Sequence, residues 1–197
     1  MNFEETRGFW DDRHSSSDQG LARRLGAQVP VVEAELSRRL DMRQPYDGLL
    51  DLGCGDGRML PYLGLIGRHV WAADISPVGL AKADGRAPNV SAIQLRMPYV
   101  IPLKDASVDV ATLLFILQSI TDDVLLAATA AELKRVLKPG ARVVVIDNAV
   151  DRARHVQART ADDIIRVLGL SPDTARARIT VDKTRDGHWL IDGRRLP

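Results

Sequence analysis

A chain of 197 residues, 45% hydrophobic and 27% charged, has the make-up of one globular domain with one sizeable core. Its formal net charge of +1, from 27 basic and 26 acidic residues, gives no general electrostatic reason to bind nucleic acid or an anionic membrane. Cys54 is its single cysteine, so an internal disulfide and a Cys-rich zinc site are excluded, no metal is expected, and a reducing cytoplasm is the simplest compartment. The longest apolar run, Val110 to Leu117, is far too short to span a bilayer. The N-terminus lacks the basic-then-apolar layout of a signal peptide.

Strand-like and helix-like segments alternate, which predicts a parallel sheet covered by helices. Val32, Leu36 and Leu40 recur at helical spacing and predict a helix over Pro30 to Leu40. Gly48 to Leu52 reads as a strand that runs into a glycine-rich turn. Arg58 to Ile66 is the next helix, with Pro61 tolerable in its first turn. His69 to Ala73 is the second strand, and Ser76-Pro77 opens another helix as N-cap and first helical residue. Asn89 to Leu95 is a weaker third strand. Asp109 to Phe115 is nearly all apolar, as suits a strand buried on both faces.

Thr121 is the expected cap of a strong helix. Asp122 and Asp123 stand in its first turn and Lys134 and Arg135 near its end, both suited to the helix dipole. Leu126, Ala130, Leu133 and Leu137 form its buried stripe, and Lys138-Pro139-Gly140 stops it. Arg142 to Ile146 is a fifth buried strand. Thr160 to Asp163 is a capping box for a helix that Gly169 ends. Ala177 to Lys183 and His188 to Ile191 then read as a hairpin across Asp186-Gly187.

The segment Asp51-Leu52-Gly53-Cys54-Gly55-Asp56-Gly57 lies between a strand and a helix. Glycines there let the backbone turn sharply and approach a ligand. The spacing is Gly-x-Gly-x-Gly, whereas a dinucleotide fingerprint would need a third glycine at position 58, which is Arg58. Asp51 would repel a pyrophosphate and could hold an ammonium group. Asp74, ending the second strand, could accept hydrogen bonds from both hydroxyls of a ribose. The pair describes a nucleoside with a cationic amino-acid end and no phosphate, which is S-adenosylmethionine (SAM). The bland alternative for the turn is a tight strand-to-helix connection without ligand. A nicotinamide oxidoreductase is disfavoured by the spacing and by Asp51.

These residues resemble the first motif of the class I SAM-dependent methyltransferases, and Val70 to Ser76 is similar to their second. Ile101 to Val110 resembles the family's Leu-Pro-Phe-x-x-x-Ser-Phe-Asp-Val stretch, and Glu132 to Gly140 its following helix and turn. The resemblance covers about residues 46 to 148. It implies a doubly wound, three-layer α/β/α fold with a seven-stranded sheet, order 3-2-1-4-5-7-6 and strand seven antiparallel. Residues 1–45 would form a helical lid and 46–197 the SAM-binding domain. Asp51, Gly53, Cys54, Gly55, Gly57, Asp74, Ile75, Phe115 and Gln118 are the implied cofactor contacts, with Cys54 a spacer and no nucleophile. Where many relatives carry Asp-Ala against the adenine, this chain has Met97-Pro98, so adenine would meet backbone and apolar groups around Arg96, Met97 and Ile75.

The aromatic stretch around Phe9 and Trp10 resembles the N-terminal lid helix of relatives. Trp10 and Arg13 would line the acceptor side, and His14 is the candidate general base. The competing reading is an aromatic helix that only packs on the surface. Asn148 and His155, at and after the fifth strand, fall where relatives build the acceptor pocket; His188 is expected to be structural and Asp109 to terminate a loop. The resemblance implies methyl transfer from SAM, leaving S-adenosylhomocysteine (SAH), to an oxygen or nitrogen of a small molecule. No nucleic-acid or membrane partner is implied, and the oligomeric state stays open. Alternatives are a peptide or protein acceptor, or a SAM-binding regulatory protein without catalysis.

Overall fold

In the computed structural model, the residues described are 3–16, 19–95, 100–149, 157–171, 173–179, 181 and 187–196. Seven strands form one sheet: β1 (Tyr46–Leu52), β2 (Gly67–Asp74), β3 (Val90–Gln94), β4 (Val108–Leu114), β5 (Leu137–Asn148), β6 (Ala175–Ile179) and β7 (His188–Arg194). Their order is β3-β2-β1-β4-β5-β7-β6. β1 to β5 are parallel to their neighbours, and β7 is antiparallel to both β5 and β6. Both the expected order and the antiparallel seventh strand are therefore present.

Strand alternation builds two cores. Leu50, Leu52, Ala111, Leu113, Val143 and Val145 face one way, against α5 (Asp123–Val136) and α6 (Ala161–Leu168). Leu49, Val70, Val110, Val144 and Ile146 face the other, against α2 (Gln19–Ser37), α3 (Leu60–Ile66) and α4 (Pro77–Ala83). Such double-sided burial is why the central strands read as apolar runs. α1 (Phe3–Ser15) packs on α4 at the margin of this sandwich. No described helix is long and apolar enough to cross a membrane.

Local signals explain most of the helix ends. The Ser76 hydroxyl caps α4 by accepting from Gly79 N at 3.0 Å, with Pro77 next. Thr160 caps α6 by accepting from Asp163 N, and Gly169 closes it at φ +61°. Two expectations need correction. α5 is capped by Asp122, not Thr121: its carboxylate accepts from Leu125 N at 2.9 Å, a stronger use of charge at the dipole's positive end. α2 does not start at Pro30 but runs through it from Gln19. One missing N–H costs a long helix less than stopping it when Val32 and Leu36 are anchored in the core. Since Val32, Leu36 and Leu40 share the cluster of Leu49 and Ile66, α2 belongs to the helical layer and the lid reading rests on α1 alone.

At the end of the sheet away from the glycine turn, Asp109 does more than end a loop. Its carboxylate accepts from Gly48 N at 2.9 Å and pairs with Lys138 Nζ at 2.6 Å, joining β1, β4 and β5. We expect Asp109→Ala to cost about 1–3 kcal/mol by leaving these donors unpaired. Thermal unfolding should show a Tm several degrees lower; an unchanged Tm would mean that water replaces the carboxylate without loss.

Candidate cofactor and methyl-transfer site

The carboxyl ends of β1, β2, β4 and β5 meet at one edge, and the turn after β1 sits there. Gly53, Gly55 and Gly57 all have positive φ, at +79°, +55° and +75°. Gly53 N and Cys54 N donate to Ala73 O, at 2.7 and 3.1 Å, which pins the turn to the end of β2. The three glycines serve different ends. A Cβ on Gly53 would lie 2.5 Å from Ile116 Cδ1, and one on Gly57 would lie 2.8 Å from the Ala83 backbone in α4. These two make room for packing. A Cβ on Gly55 would point toward His14, 3.2 Å from Cε1. A side chain there would press on α1.

Two buried carboxylates flank the turn. Asp51 is fully enclosed, and burial pushes its carboxyl up to about 7, against the pull of a hydrogen bond from Thr112 and with a further push from Asp74. The Thr112 hydroxyl donates to Asp51 Oδ1 at 2.7 Å across the β1–β4 pair. Asp74 accepts Gly55 N at 2.8 Å on one oxygen and Ser76 N at 2.9 Å on the other. Burial raises its carboxyl too, and these backbone donors pull it back. Each carboxylate oxygen keeps a lone pair for a ligand. Two desolvated negative groups one strand apart match a cation beside a diol and would repel a phosphate. The residues therefore fit the amino-acid and ribose ends of SAM and do not fit a pyrophosphate. Ile75 follows, packed on the larger core. Cys54 is half-buried and its thiol is pushed up, largely by desolvation, which disfavours the nucleophilic thiolate.

A second group lies at the ends of β4, β5 and β7. Phe115 leaves β4 at φ +61°, a left-handed conformation that a bulky residue rarely adopts. Gln118 Nε2 donates to Phe115 O at 3.0 Å, and Asn148 Nδ2 donates to Gln118 Oε1. Beneath them Asp147 accepts Gln118 N at 3.1 Å and Asn148 N at 2.8 Å, and burial pushes its carboxyl up to about 7 despite those bonds. His188 pairs with Asn148 in register, and its ring meets Phe115 edge-on with centroids 5.5 Å apart. Because β7 is antiparallel, its first residue reaches the ligand edge. His188, expected to be structural, braces Phe115 at that edge.

A third group is α1. Trp10 stacks edge-on with Phe9 and lies 6.0 Å from the His14 ring, and the Arg13 guanidinium lies over both aromatic rings. His14 faces Gly55 and Gly79; burial holds its imidazole below the usual range, while Asp74 and Asp56 pull the other way. Arg96, Met97 and His155 lie outside the described residues.

Sequence reasoning missed Thr112, Asp147 and Asp11. The first two had a visible signal: a lone hydroxyl in the apolar run of β4 and a lone carboxylate after the apolar run of β5.

Residues 50–145 match the family model described as a methyltransferase domain. A 2-phytyl-1,4-naphtoquinone methyltransferase of Nostoc sp. is 34% identical over 127 residues, covering 59% of this chain and 52% of the relative. An uncharacterized 37.1 kDa protein in transposon TN4556 of Streptomyces fradiae is 37% identical over 111 residues, covering 54% of this chain and 31% of the relative. The chain thus spans about half or less of the length of these two. Among solved structures, a chain from the complex between the Haloferax volcanii Trm112 methyltransferase activator and the putative methyltransferase superposes with a TM-score of 0.74. It is 17% identical, with 95% of this chain and 98% of that one covered, a likeness in fold. The motif order, the paired carboxylates about the glycine turn, the strand order and the family match agree: residues 50–145 of this chain are a methyltransferase domain, with the fold and motif order of the class I SAM-dependent enzymes.

Proposed function

We propose that the chain transfers the methyl group of SAM to an oxygen or nitrogen of a small-molecule acceptor. The observation that carries the reading is the pair of buried carboxylates, Asp51 and Asp74, on either side of a left-handed glycine turn. Asp51, steadied by Thr112, takes the ammonium group, and Asp74 takes the ribose hydroxyls. When bound, SAM supplies a methyl carbon already activated by its sulfonium, so orientation of the acceptor contributes much of the rate. Asn148 lines the acceptor side next to the cofactor contacts Phe115 and Gln118, and Asp147 fixes Gln118 and Asn148 from below. α1 covers the turn and keeps water from the reacting centre. A small acceptor is supported by the short stretch between β5 and α6 and by the named substrate of the Nostoc relative.

The test incubates the protein with methyl-labelled SAM and 1,4-naphthohydroquinone, catechol, an arylamine or a peptide mixture. Label on one of the small molecules, with SAH formed, is expected. Label on peptide alone, or SAH binding by calorimetry with no transfer to any acceptor, would overturn the reading in favour of a protein methyltransferase or a non-catalytic SAM-binding protein.

His14 is best placed on the cofactor side of the lid, since its ring faces Gly55 and Gly79. His14→Ala is therefore expected to raise the KM for SAM several-fold and change kcat less. A kcat loss of about 10²-fold relieved at higher pH would instead assign His14 the role of general base.

A further inference from the structure

One bonded chain links α1 to the ribose carboxylate. The Ser76 hydroxyl donates to Asp11 Oδ1 at 2.5 Å while accepting from Gly79 N at 3.0 Å. Ser76 N donates to Asp74 Oδ1, and Asp74 Oδ2 accepts Gly55 N. Ser76 is fully buried and Asp74 nearly so. Five residues from α1, α4 and its N-cap, the end of β2 and the glycine turn thus share one line of hydrogen bonds. A turn further along α4, Lys82 Nζ donates to the His14 backbone oxygen, so α1 is held at two points.

A serine hydroxyl has one proton to give. With that proton committed to Asp11, its rotor is fixed and a lone pair stays aimed at Gly79 N. This sets the first turn of α4 and, through Ser76 N, the position of the Asp74 carboxylate. We propose that Asp11 is a positioning residue for the cofactor: by fixing Ser76 it holds Asp74 in ribose-binding geometry, so that docking of α1 and binding of the cofactor are energetically linked. The proposal rests on the reading of Asp74 as the ribose contact and adds a residue and a coupling to it. Linkage of this kind is reciprocal: whatever factor α1 docking adds to cofactor affinity, the cofactor adds to α1 docking.

The experiment measures SAH affinity by calorimetry and hydrogen exchange of α1 amides, with and without SAH, in the parent, Asp11→Ala and Asp11→Asn. An asparagine Oδ1 still accepts from Ser76, so Asp11→Asn should stay within about 3-fold of the parent. Asp11→Ala should weaken SAH roughly 5- to 20-fold, the loss of one charge-assisted hydrogen bond felt at second hand. SAH should slow α1 exchange in the parent and in Asp11→Asn, and much less in Asp11→Ala. In a Ser76→Ala background, Asp11→Ala should add little, because both changes cut the same line. A lower Tm with unchanged SAH affinity would show a merely structural contact and overturn the proposal, as would α1 exchange indifferent to SAH. If the parent itself fails to bind SAH, the cofactor reading falls and takes the linkage with it; if the parent binds SAH and Asp11→Ala matches it, the linkage alone falls.

Discussion

Asp74→Ala is expected to weaken SAM and SAH binding by roughly 10²-fold or more while the sheet stays folded. Two hydrogen bonds from ribose hydroxyls to a charged acceptor are lost, at about 1.5–3 kcal/mol each. The same substitution strips Gly55 N and Ser76 N of their acceptor. Buried donors left unpaired cost about 1–3 kcal/mol each, partly offset because a desolvated carboxylate is removed as well. The variant should therefore bind poorly and also melt several degrees lower. Asp74→Asn separates the two effects. It retains an acceptor oxygen for one of the two backbone donors but sets an amide N–H against the other, so its Tm should lie between those of Asp74→Ala and the parent while its affinity still falls. Calorimetry with SAH and thermal unfolding of both variants provide the check. Parent-like affinity in Asp74→Ala would remove the ribose from this residue.

Asp51→Asn should produce opposite changes in stability and affinity. The folded-state carboxyl titrates at about 7, well above its ordinary value near 4, because burial disfavours the charged form. Between those values the folded chain holds a proton that the unfolded chain has released. The stability of the free protein therefore falls as pH rises from about 4 to about 7, by an amount on the order of 2–4 kcal/mol. Asp147, also at about 7, contributes a second fall over the same window. Asp51→Asn abolishes the first. At pH 7.5 the unliganded variant should melt several degrees above the parent, and its pH dependence below 7 should be shallower. Cofactor affinity runs the other way: an ammonium group pairs with the ionised carboxylate, so parent affinity should rise with pH through about 7. The variant should bind roughly 10- to 150-fold more weakly and lose that rise. Melting curves and calorimetry across pH 5 to 8 test both arms. A variant less stable than the parent at pH 7.5, with affinity intact, would place the ammonium group elsewhere.

Much of this was legible in the residue order. Alternating strand and helix patterns, the glycine spacing, Ser76-Pro77, the Thr160 capping box and the terminal hairpin each involve residues a few positions apart. Periodicity and caps report such contacts directly, and together with the motif resemblance they determined the layered fold, the cofactor class and the two carboxylates proposed to receive it. What the sequence left open joins residues far apart in the chain. Thr112 reaches Asp51 across 61 positions and Asp11 reaches Ser76 across 65. Nothing in local spacing encodes such bonds, because they exist only once β4 lies beside β1 and α1 lies on α4. His188 reads as a hairpin residue until the antiparallel run of β7 brings it to the ligand edge, against a Phe115 whose positive φ no pattern announces. The three glycines look alike in sequence; only the neighbours that packing brings to each show that Gly53 and Gly57 serve close packing while Gly55 faces α1.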